Sequence, residues 1–213
     1  MNGVKFGAYH SYDDFSLILT SKTIGTPTPK TEIIDIPGGD GVLDLTEFFG
    51  ETKYNNRKLE FVFSTQYMAP RNFLELYSSV MELLHGKKMQ VILDDESDVF
   101  YYGRVTVEKW ISKKGIGTIE IEVDAEPYKN EIGVSSYQAN VKSNATLSII
   151  NAKKPVVPTI TSNAEFLISF GGFNEVYSAG TFTIPELELK EGINQVYVEG
   201  TGSITFTYRR GWL

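Results

Sequence analysis

Apolar and polar residues alternate with a period of two along much of the first 130 residues. The clearest runs are residues 58–63, 105–108 and 119–124. Such alternation is typical of a strand with one buried and one solvated face. Polar turn sequences separate neighbouring runs, as at Asp94–Asp98 and Lys113–Gly117. The pattern predicts antiparallel hairpins and argues against a buried parallel sheet.

One segment changes to the period of a helix. Its apolar residues fall on a single stripe: Phe73, Tyr77, Val80 and Leu84. Pro70 suits a first helical turn, and Gly86 suits the left-handed position after a helix. We predict one substantial helix, at about Arg71–His85. A helix laid against hairpin-connected strands predicts a small β-barrel or sandwich that the helix covers.

Two proline- and glycine-rich segments interrupt the first part. Ser21–Lys30 is predicted to be an extended loop, and Pro37–Gly41 a second break. Thr31–Ile36, between them, can still form a strand. Proline-rich arms of this kind often reach a neighbouring subunit, and a mobile surface loop is an equally good interpretation.

The composition changes after residue 128. Residues 134–151 are rich in Ser, Asn and Ala, and no helical pattern follows. Short β-prone runs separated by turn signals recur at about 8–12 residues, which indicates an antiparallel β-sandwich. The predicted strands are 147–150, 156–161, 166–170, 181–184, 194–198 and 204–208. We therefore predict two domains, residues 1–133 and 134–213.

Composition excludes several classes of protein. The chain has no cysteine, so disulfides, thiolate metal sites and thiol nucleophiles are excluded. The first 15 residues lack the apolar segment of a secretory signal, and no run approaches the roughly 18 apolar residues of a membrane span. We expect assembly in the cytoplasm and no membrane partner.

The net charge of −7 belongs to the first domain alone. Residues 1–133 carry 14 Lys/Arg against 21 Asp/Glu, whereas residues 134–213 carry 6 of each. An acidic domain repels phosphate backbones, so specific binding of nucleic acid is not expected. The same sign suits the wall of a channel through which DNA slides, and it also suits plain solubility.

The residues that could carry chemistry do not form a catalytic or metal site. His10 and His85 are far apart in sequence, and His85 is expected to favour the helix C-terminus as a partly cationic cap. Asp94–Asp98 superficially resembles a calcium loop but lacks the glycine and the final glutamate of an EF-hand. A solvated turn explains it better. We predict no catalytic, cofactor-binding or metal-binding residue, and no cofactor.

Two further kinds of site remain open. The carboxylates Asp13, Asp14, Glu120 and Glu122 could serve a glycosidase only if a pair lay in a cleft. Aromatic side chains of the second domain could stack on sugars, although packing is a commoner role for them. The candidates are Phe173, Tyr177, Tyr197 and Trp212.

The order of elements and several short motifs carry a family resemblance. The motifs are Asp44-Leu45-Thr46 before the Phe48-Phe49 pair, Arg57 and Leu59 leading into Phe61 and Phe63, Leu84-His85-Gly86, Tyr101-Tyr102-Gly103-Arg104, and the C-terminal residues 206–213. In these features the chain resembles the distal tail protein family of long-tailed, non-contractile bacteriophages. The match spans nearly the whole chain, and its motifs are structural.

The resemblance implies a mainly β fold with one helix. The first domain would be a ring-forming β-barrel or sandwich with a covering helix, like phage tail-tube proteins, and the second a galectin-like β-sandwich. Six copies would form the hub between the tail tube and the tail-associated tip protein or lysin, in many phages with a receptor-binding protein docked. DNA would pass through the ring without specific binding, and the protein would lie at the virion's tail tip.

Two other functions stay open at this stage. In the first, the chain is a glycan-binding host-adhesion module of a phage tail. In the second, it is a tail-associated hydrolase. We expect a structural protein and no enzyme, because no catalytic motif contributes to the resemblance.

Overall fold

The computed structural model describes residues 3–48 and 50–213. Phe49, half of the aromatic pair quoted above, lies outside them. The backbone forms two compact units, Met1–Pro127 and Tyr128–Leu213, here called unit 1 and unit 2. The predicted domain boundary, between residues 133 and 134, stays a prediction, because compact units need not be domains that fold independently.

Unit 1 contains the following elements in the part of the chain that the structure describes. They are β1 Val4–Phe6, β2 Tyr9–His10, β3 Ile18–Ile24, β4 Ile33–Asp35, β5 Val42–Asp44, β6 Arg57–Ser64, α1 Pro70–Leu84, β7 Lys88–Leu93, β8 Glu96–Lys113 and β9 Ile116–Ala125.

Seven of these strands form one antiparallel sheet. Its order is β2-β1-β7-β8-β9-β6-β3. Strand β8 is 18 residues long, and the register slips by one residue between Val107 and Lys109 where it pairs with β9. Strands β4 and β5 pair only with each other.

The core of unit 1 lies on one face of this sheet. Burial alternates along β6, so Leu59, Phe61 and Phe63 are inside and the residues between them face outward. Phe6 of β1 packs edge-on against Phe61, with ring centres 5.8 Å apart. Aromatic pairs prefer this geometry because a ring's positive edge meets its neighbour's negative face. The period-two predictions for these strands are confirmed.

The single helix covers the core. It spans Pro70–Leu84, one residue earlier at each end than predicted, and Gly86 adopts a left-handed φ of 75°. Its stripe packs inward, with Val80 and Leu84 fully buried. Gly117 of β9 is required beneath it, because a Cβ there would lie 1.9 Å from the Phe73 ring.

One predicted loop is partly wrong. Ser21–Ile24 belong to strand β3, because their backbone pairs with Leu59–Val62 of β6. The β-branched Thr23 and Ile24 suit a strand, and the irregular backbone begins only at Gly25. The predicted strand at Thr31–Ile36 forms as β4, and the break at Pro37–Gly41 forms the connection to β5.

In the region the structure describes, the regular elements of unit 2 are all strands. They are β10 Lys129–Glu131, β11 Ser135–Val141, β12 Asn144–Asn151, β13 Thr159–Ser162, β14 Phe166–Phe170, β15 Phe173–Tyr177, β16 Gly180–Thr183, β17 Gly192–Gly200, β18 Gly202–Tyr208 and β19 Gly211–Trp212.

Two four-stranded antiparallel sheets make up most of unit 2. Their orders are β11-β18-β13-β16 and β12-β17-β14-β15. Alternate residues of both sheets meet in one buried cluster, which includes Ile149, Ile160, Phe166, Val198 and Phe206. The predicted β-sandwich is confirmed, and with it the mainly β fold with one helix.

The Ser-, Asn- and Ala-rich segment contains a strand that was not predicted from the sequence. It contains strand β11, whose seven residues all pair with β18. Strand β11 is an edge strand of its sheet, and among its residues only Val141 is buried, while Ser135, Tyr137 and Ala139 are half-buried. The predicted strand at 156–161 begins later, at Thr159, and Val156 forms an isolated bridge to Leu189.

Candidate functional site

Residues 26–48 and 50–56 belong to a long hairpin that we call the arm. Its stem is held by backbone hydrogen bonds of 2.8 Å from the Lys30 N–H to the Lys53 carbonyl and from the Asn55 N–H to the Thr28 carbonyl. Strands β4 and β5 form its far part. The described part of the arm therefore consists of a paired stem and a paired far hairpin, with a turn after β5 between them.

The far part of the arm is exposed on every residue of both strands. Its large apolar side chains are between 46% and 72% exposed: Ile33, Ile34, Ile36, Val42, Leu43 and Phe48. An apolar surface of this extent on a soluble protein marks a contact site. A two-stranded hairpin that packs on nothing is also only marginally stable in water.

The Asp44-Leu45-Thr46 motif closes the arm. The Thr46 N–H donates to Asp44 Oδ1 at 2.9 Å, and the Thr46 hydroxyl oxygen accepts the Glu32 N–H at 3.1 Å. Hydrogen bonds from Thr46, chiefly from its side chain, lower the pKa of Asp44. The motif thus has a structural role at the base of the β4–β5 hairpin.

Arg57 fixes the foot of the arm to the sheet. Its buried side chain donates from Nε to the Gly25 carbonyl at 2.7 Å and from Nη1 to the Pro127 carbonyl at 3.3 Å. The guanidinium carbon also lies 5.5 Å from the centre of the Tyr101 ring. Burial raises the pKa of Tyr101 to about 12, and nearby Glu96 adds to the effect. The arm therefore leaves a rigid base.

The outward face of the sheet carries a group of carboxylates. Glu60 of β6 stands directly opposite Glu122 of β9, a like-charge pair that weakens a sheet. Together with Glu108 and Glu120 they surround a shallow cleft of about 370 Å³. We call this surface the acidic face.

Two lysines offset part of that charge. Lys58 Nζ lies 2.9 Å from a Glu122 oxygen, and Lys109 Nζ lies 3.3 Å from Glu120. The hydrogen bond to Glu122 raises the pKa of Lys58. These pairs are exposed and contribute little to stability. The acidic face therefore keeps an excess of negative charge at positions where it does not stabilise the sheet.

A second exposed apolar surface lies at the turn between β8 and β9. Ile111 and Ile116 are 46% and 49% exposed, and Lys113 and Lys114 lie beside them. The pairs Ile111–Thr118 and Lys113–Ile116 place these side chains on one side of the ladder. On the other side, Trp110 packs on Tyr77 with ring centres 5.1 Å apart. We call residues 111, 113, 114 and 116 the tip face.

Both histidines connect separate elements of unit 1. His85 follows the helix, but its Nδ1 accepts the Val107 N–H at 3.1 Å. The ring therefore contacts strand β8, and its predicted role as a cap of the helix stays a prediction. His10 lies between Asp94, at 3.2 Å from Nε2, and Asp13, at 3.1 Å from Nδ1. These contacts connect the β1–β2 hairpin to the acidic turn.

The acidic turn is shorter than predicted and has structural partners. Strand β8 begins at Glu96, so only Asp94 and Asp95 form the turn. Asp94 Oδ2 accepts the Gly3 N–H at 2.6 Å, and Asp95 pairs with Lys22. That hydrogen bond from Lys22 lowers the pKa of Asp95. Among the described residues, no group of three or more His, Cys, Asp or Glu side chains is arranged to hold a metal.

The four aromatic candidates for sugar stacking do not form one platform. Phe173 and Tyr177 lie on the core side of β15, where Tyr177 stacks on Phe182 at 4.6 Å. Tyr197 pairs with Ser169 on the opposite face of the same sheet. Trp212 lies on β19, under the Arg210 guanidinium. The period-two geometry of strands separates them.

A shallow cleft in unit 2 contains the best-defined ion pair of that unit. Arg210 donates to both carboxylate oxygens of Glu131, from Nη2 at 2.7 Å and from Nε at 3.1 Å. This two-pronged contact lowers the pKa of Glu131 and raises that of Arg210. The Tyr208 hydroxyl donates to the Ile150 carbonyl at 2.5 Å, so the polar groups of the cleft are used in holding the fold.

Sequence reasoning missed two features that the structure brings out. The arm's far strands carry apolar residues on both faces, as in Ile33-Ile34 and Val42-Leu43, and that pattern was visible beside the prolines. The tip face was not visible. Ile111 continues the sequence alternation of the buried Val105 and Val107, but the register slip between Val107 and Lys109 turns it to the outward side of the ladder. Ile116 pairs with Lys113 on that same side. No helix in the described part is long and apolar enough to cross a bilayer.

Comparison with known proteins identifies the fold. No protein-family model matches the chain, and no curated protein matches it. Among solved structures, the chain is similar to the crystal structure of SPP1 Dit (gp 19.1), described as a paradigm of the hub adsorption apparatus in phages that infect Gram-positive bacteria. That similarity has a TM-score of 0.74 at 14% identity and covers 100% of both chains. The resemblance to distal tail proteins is confirmed at the level of the fold.

Proposed function

We propose that this chain is a structural virion protein, the distal tail or hub protein of a long non-contractile phage tail. Six copies form a ring that joins the end of the tail tube to the tail tip. The observation that carries the proposal is the full-length match of a two-unit fold to a phage hub protein, with both chains covered completely. A match over one unit alone would fit many β-rich proteins.

Two surfaces of unit 1 suit a ring. The arm presents exposed apolar side chains from a rigid base, as a contact with a neighbouring subunit requires. The acidic face lies on the side of the sheet away from the buried core. A ring that places this face toward its axis repels phosphate along the channel wall, so DNA passes without finding binding sites.

The partners follow from the position of a hub. The tail-tube protein contacts one side of the ring, and the tip protein or lysin contacts the other, with a receptor-binding protein docked in addition in some phages. The role requires no catalysis, no cofactor and no membrane contact. The protein is assembled in the host cytoplasm and resides in the virion at the tail tip.

Cryo-microscopy of tails from the parent virion tests the proposal. We expect six copies of the two-unit fold at the tail end, with a combined mass of about 143 kDa for six chains of 23.9 kDa. Trimers only, or absence of this chain from the tail end, would contradict it. Native mass measurement of the isolated protein over a range of concentrations shows whether the ring also forms without the tube and tip.

A further inference from the structure

We propose that the arm of one copy docks on the tip face of a second copy of this chain. The inference rests on the proposed self-assembly and names the two surfaces that meet. Both surfaces are apolar and exposed in the single chain, so neither covers the other there.

The charges of the two surfaces are complementary. The arm, residues 26–56, carries six Asp or Glu and two Lys, a net charge of −4. The tip face carries Lys113 and Lys114 and no acid. Lys109, next to it on β8, is already paired with Glu120 and is not counted. Opposite charge at the rim of an apolar contact speeds association and selects the correct partner.

The other exposed surfaces fit the arm less well. The acidic face carries Glu60, Glu108, Glu120 and Glu122 and repels the arm. Ile150 and Ile193 of unit 2 form an exposed cross-strand pair, 60% and 66% exposed, but the nearby Lys153 already pairs with Glu191 at 2.8 Å. Of these three described surfaces, the tip face is the one that combines exposed isoleucines with an excess of lysine.

The positions of the two surfaces suit a contact between copies. The arm joins the sheet at the Arg57–Ala125 end of the ladder, whereas the tip face lies at the Lys113–Ile116 end. Nine residues of β9 separate the two ends, about 30 Å at the rise of a strand. Two different surfaces at opposite ends make a head-to-tail contact, which closes into a ring when its rotation permits.

A disulfide exchange between two full-length variants tests the contact. The chain has no cysteine, so each variant carries one. The thiol of Leu43→Cys, in the arm, is first converted to its mixed disulfide with thionitrobenzoate. The thiolate of Ile111→Cys, in the tip face, then attacks the arm sulfur, the new disulfide joins the chains, and thionitrobenzoate leaves and is measured by its colour.

The control is Ile193→Cys in place of Ile111→Cys, because its side chain is more exposed but lies in unit 2. Docking raises the effective concentration of the two sulfurs, so we expect exchange with Ile111→Cys at least tenfold faster than with Ile193→Cys. Adding Lys113→Glu and Lys114→Glu to the Ile111→Cys variant should slow the exchange severalfold. Adding Lys5→Glu and Lys142→Glu, which change the net charge equally away from the tip face, should not. Rates are divided by each thiol's rate with a small disulfide.

Equal rates for the two positions overturn the proposal, as does faster exchange at Ile193→Cys. So does a double variant, Leu43→Cys with Ile111→Cys, that closes its disulfide mainly within one chain. Cryo-microscopy of tails tests the hub proposal separately. If tails show six copies at the tail end but the two exchange rates are equal, the hub proposal holds and only the contact between arm and tip face is refuted.

Discussion

At the scale of single residues, burial on the helix separates core positions from surface ones. Leu84 is 1% exposed and Leu74 is 48% exposed, on the same helix. Leu84→Ala should lower the free energy of unfolding by about 2–5 kcal/mol, since it leaves a cavity. Leu74→Ala, the control, should change it by less than about 0.5 kcal/mol. Chemical denaturation measures both, and a loss under about 1 kcal/mol at Leu84 would show that the stripe is not core.

Tyr101 should make the protein sensitive to alkali. Its pKa is raised to about 12 from 10.0. Because the folded state holds this proton more tightly than the unfolded state, the associated stability is present below pH 10 and is lost as the pH rises toward 12. Wild type should therefore lose more stability than Tyr101→Phe between pH 10 and 12, by denaturation at each pH. Parallel loss in both proteins would argue against a buried, neutral phenol.

Sequence predicts residue burial well where the period is strict. The inward set of β6 follows from alternation alone. His85 could not be predicted, because its partner Val107 lies on a strand 22 residues later and the contact depends on tertiary packing. The separation of Tyr197 from Tyr177 likewise requires the register of β14 with both its neighbours.

At the scale of elements, the arm and the central ladder should differ in local stability. Strands β4 and β5 pair only with each other and bury no residue, whereas β6 and β9 pair over eight residues above the core. Local opening therefore costs less in the arm. In hydrogen exchange of the dilute monomer, we expect amides of β4 and β5 to exchange at least 100-fold faster than those of β6 and β9.

Assembly should reduce the difference in exchange rate between the arm and the central ladder. If a second copy covers the arm, hydrogen exchange of the arm amides should become slower at concentrations where the protein associates. The exchange rates of the β6 amides should stay unchanged. Arm amides as protected as the ladder in the monomer would mean that the arm is stable without a partner, against the expectation for an unsupported hairpin.

Elements with local signals are predictable from the sequence, and elements that depend on distant partners are not. The helix has proline at its start, glycine after its end and one apolar stripe, all within 17 residues. Strand β11 has no such signal, since its small polar residues become a strand through pairing with β18, about 65 residues away. The arm shows both cases. Its turn is predictable from the sequence Pro37–Gly41, whereas the exposure of its apolar side chains depends on how the chain packs.

At the scale of the whole molecule, the proposed channel would use the carboxylates of the acidic face. All of the net charge of −7 lies in residues 1–133, so six copies would carry 42 net negative charges. At physiological salt the Debye length is about 8 Å, so only carboxylates near the channel surface act on passing DNA. The acidic face supplies Glu60, Glu108, Glu120 and Glu122 for that position.

Charge reversal on the acidic face provides the test. The wild-type protein should not retard duplex DNA on a gel even at low salt, where electrostatic binding is strongest. Glu60→Lys with Glu108→Lys should retard DNA and, in the virion, slow its ejection. Glu82→Lys with Asp98→Lys changes the net charge equally at exposed positions off that face. If both variants behave alike, total charge alone matters and the acidity serves solubility. A difference confined to the acidic face would support its position along the path of the DNA.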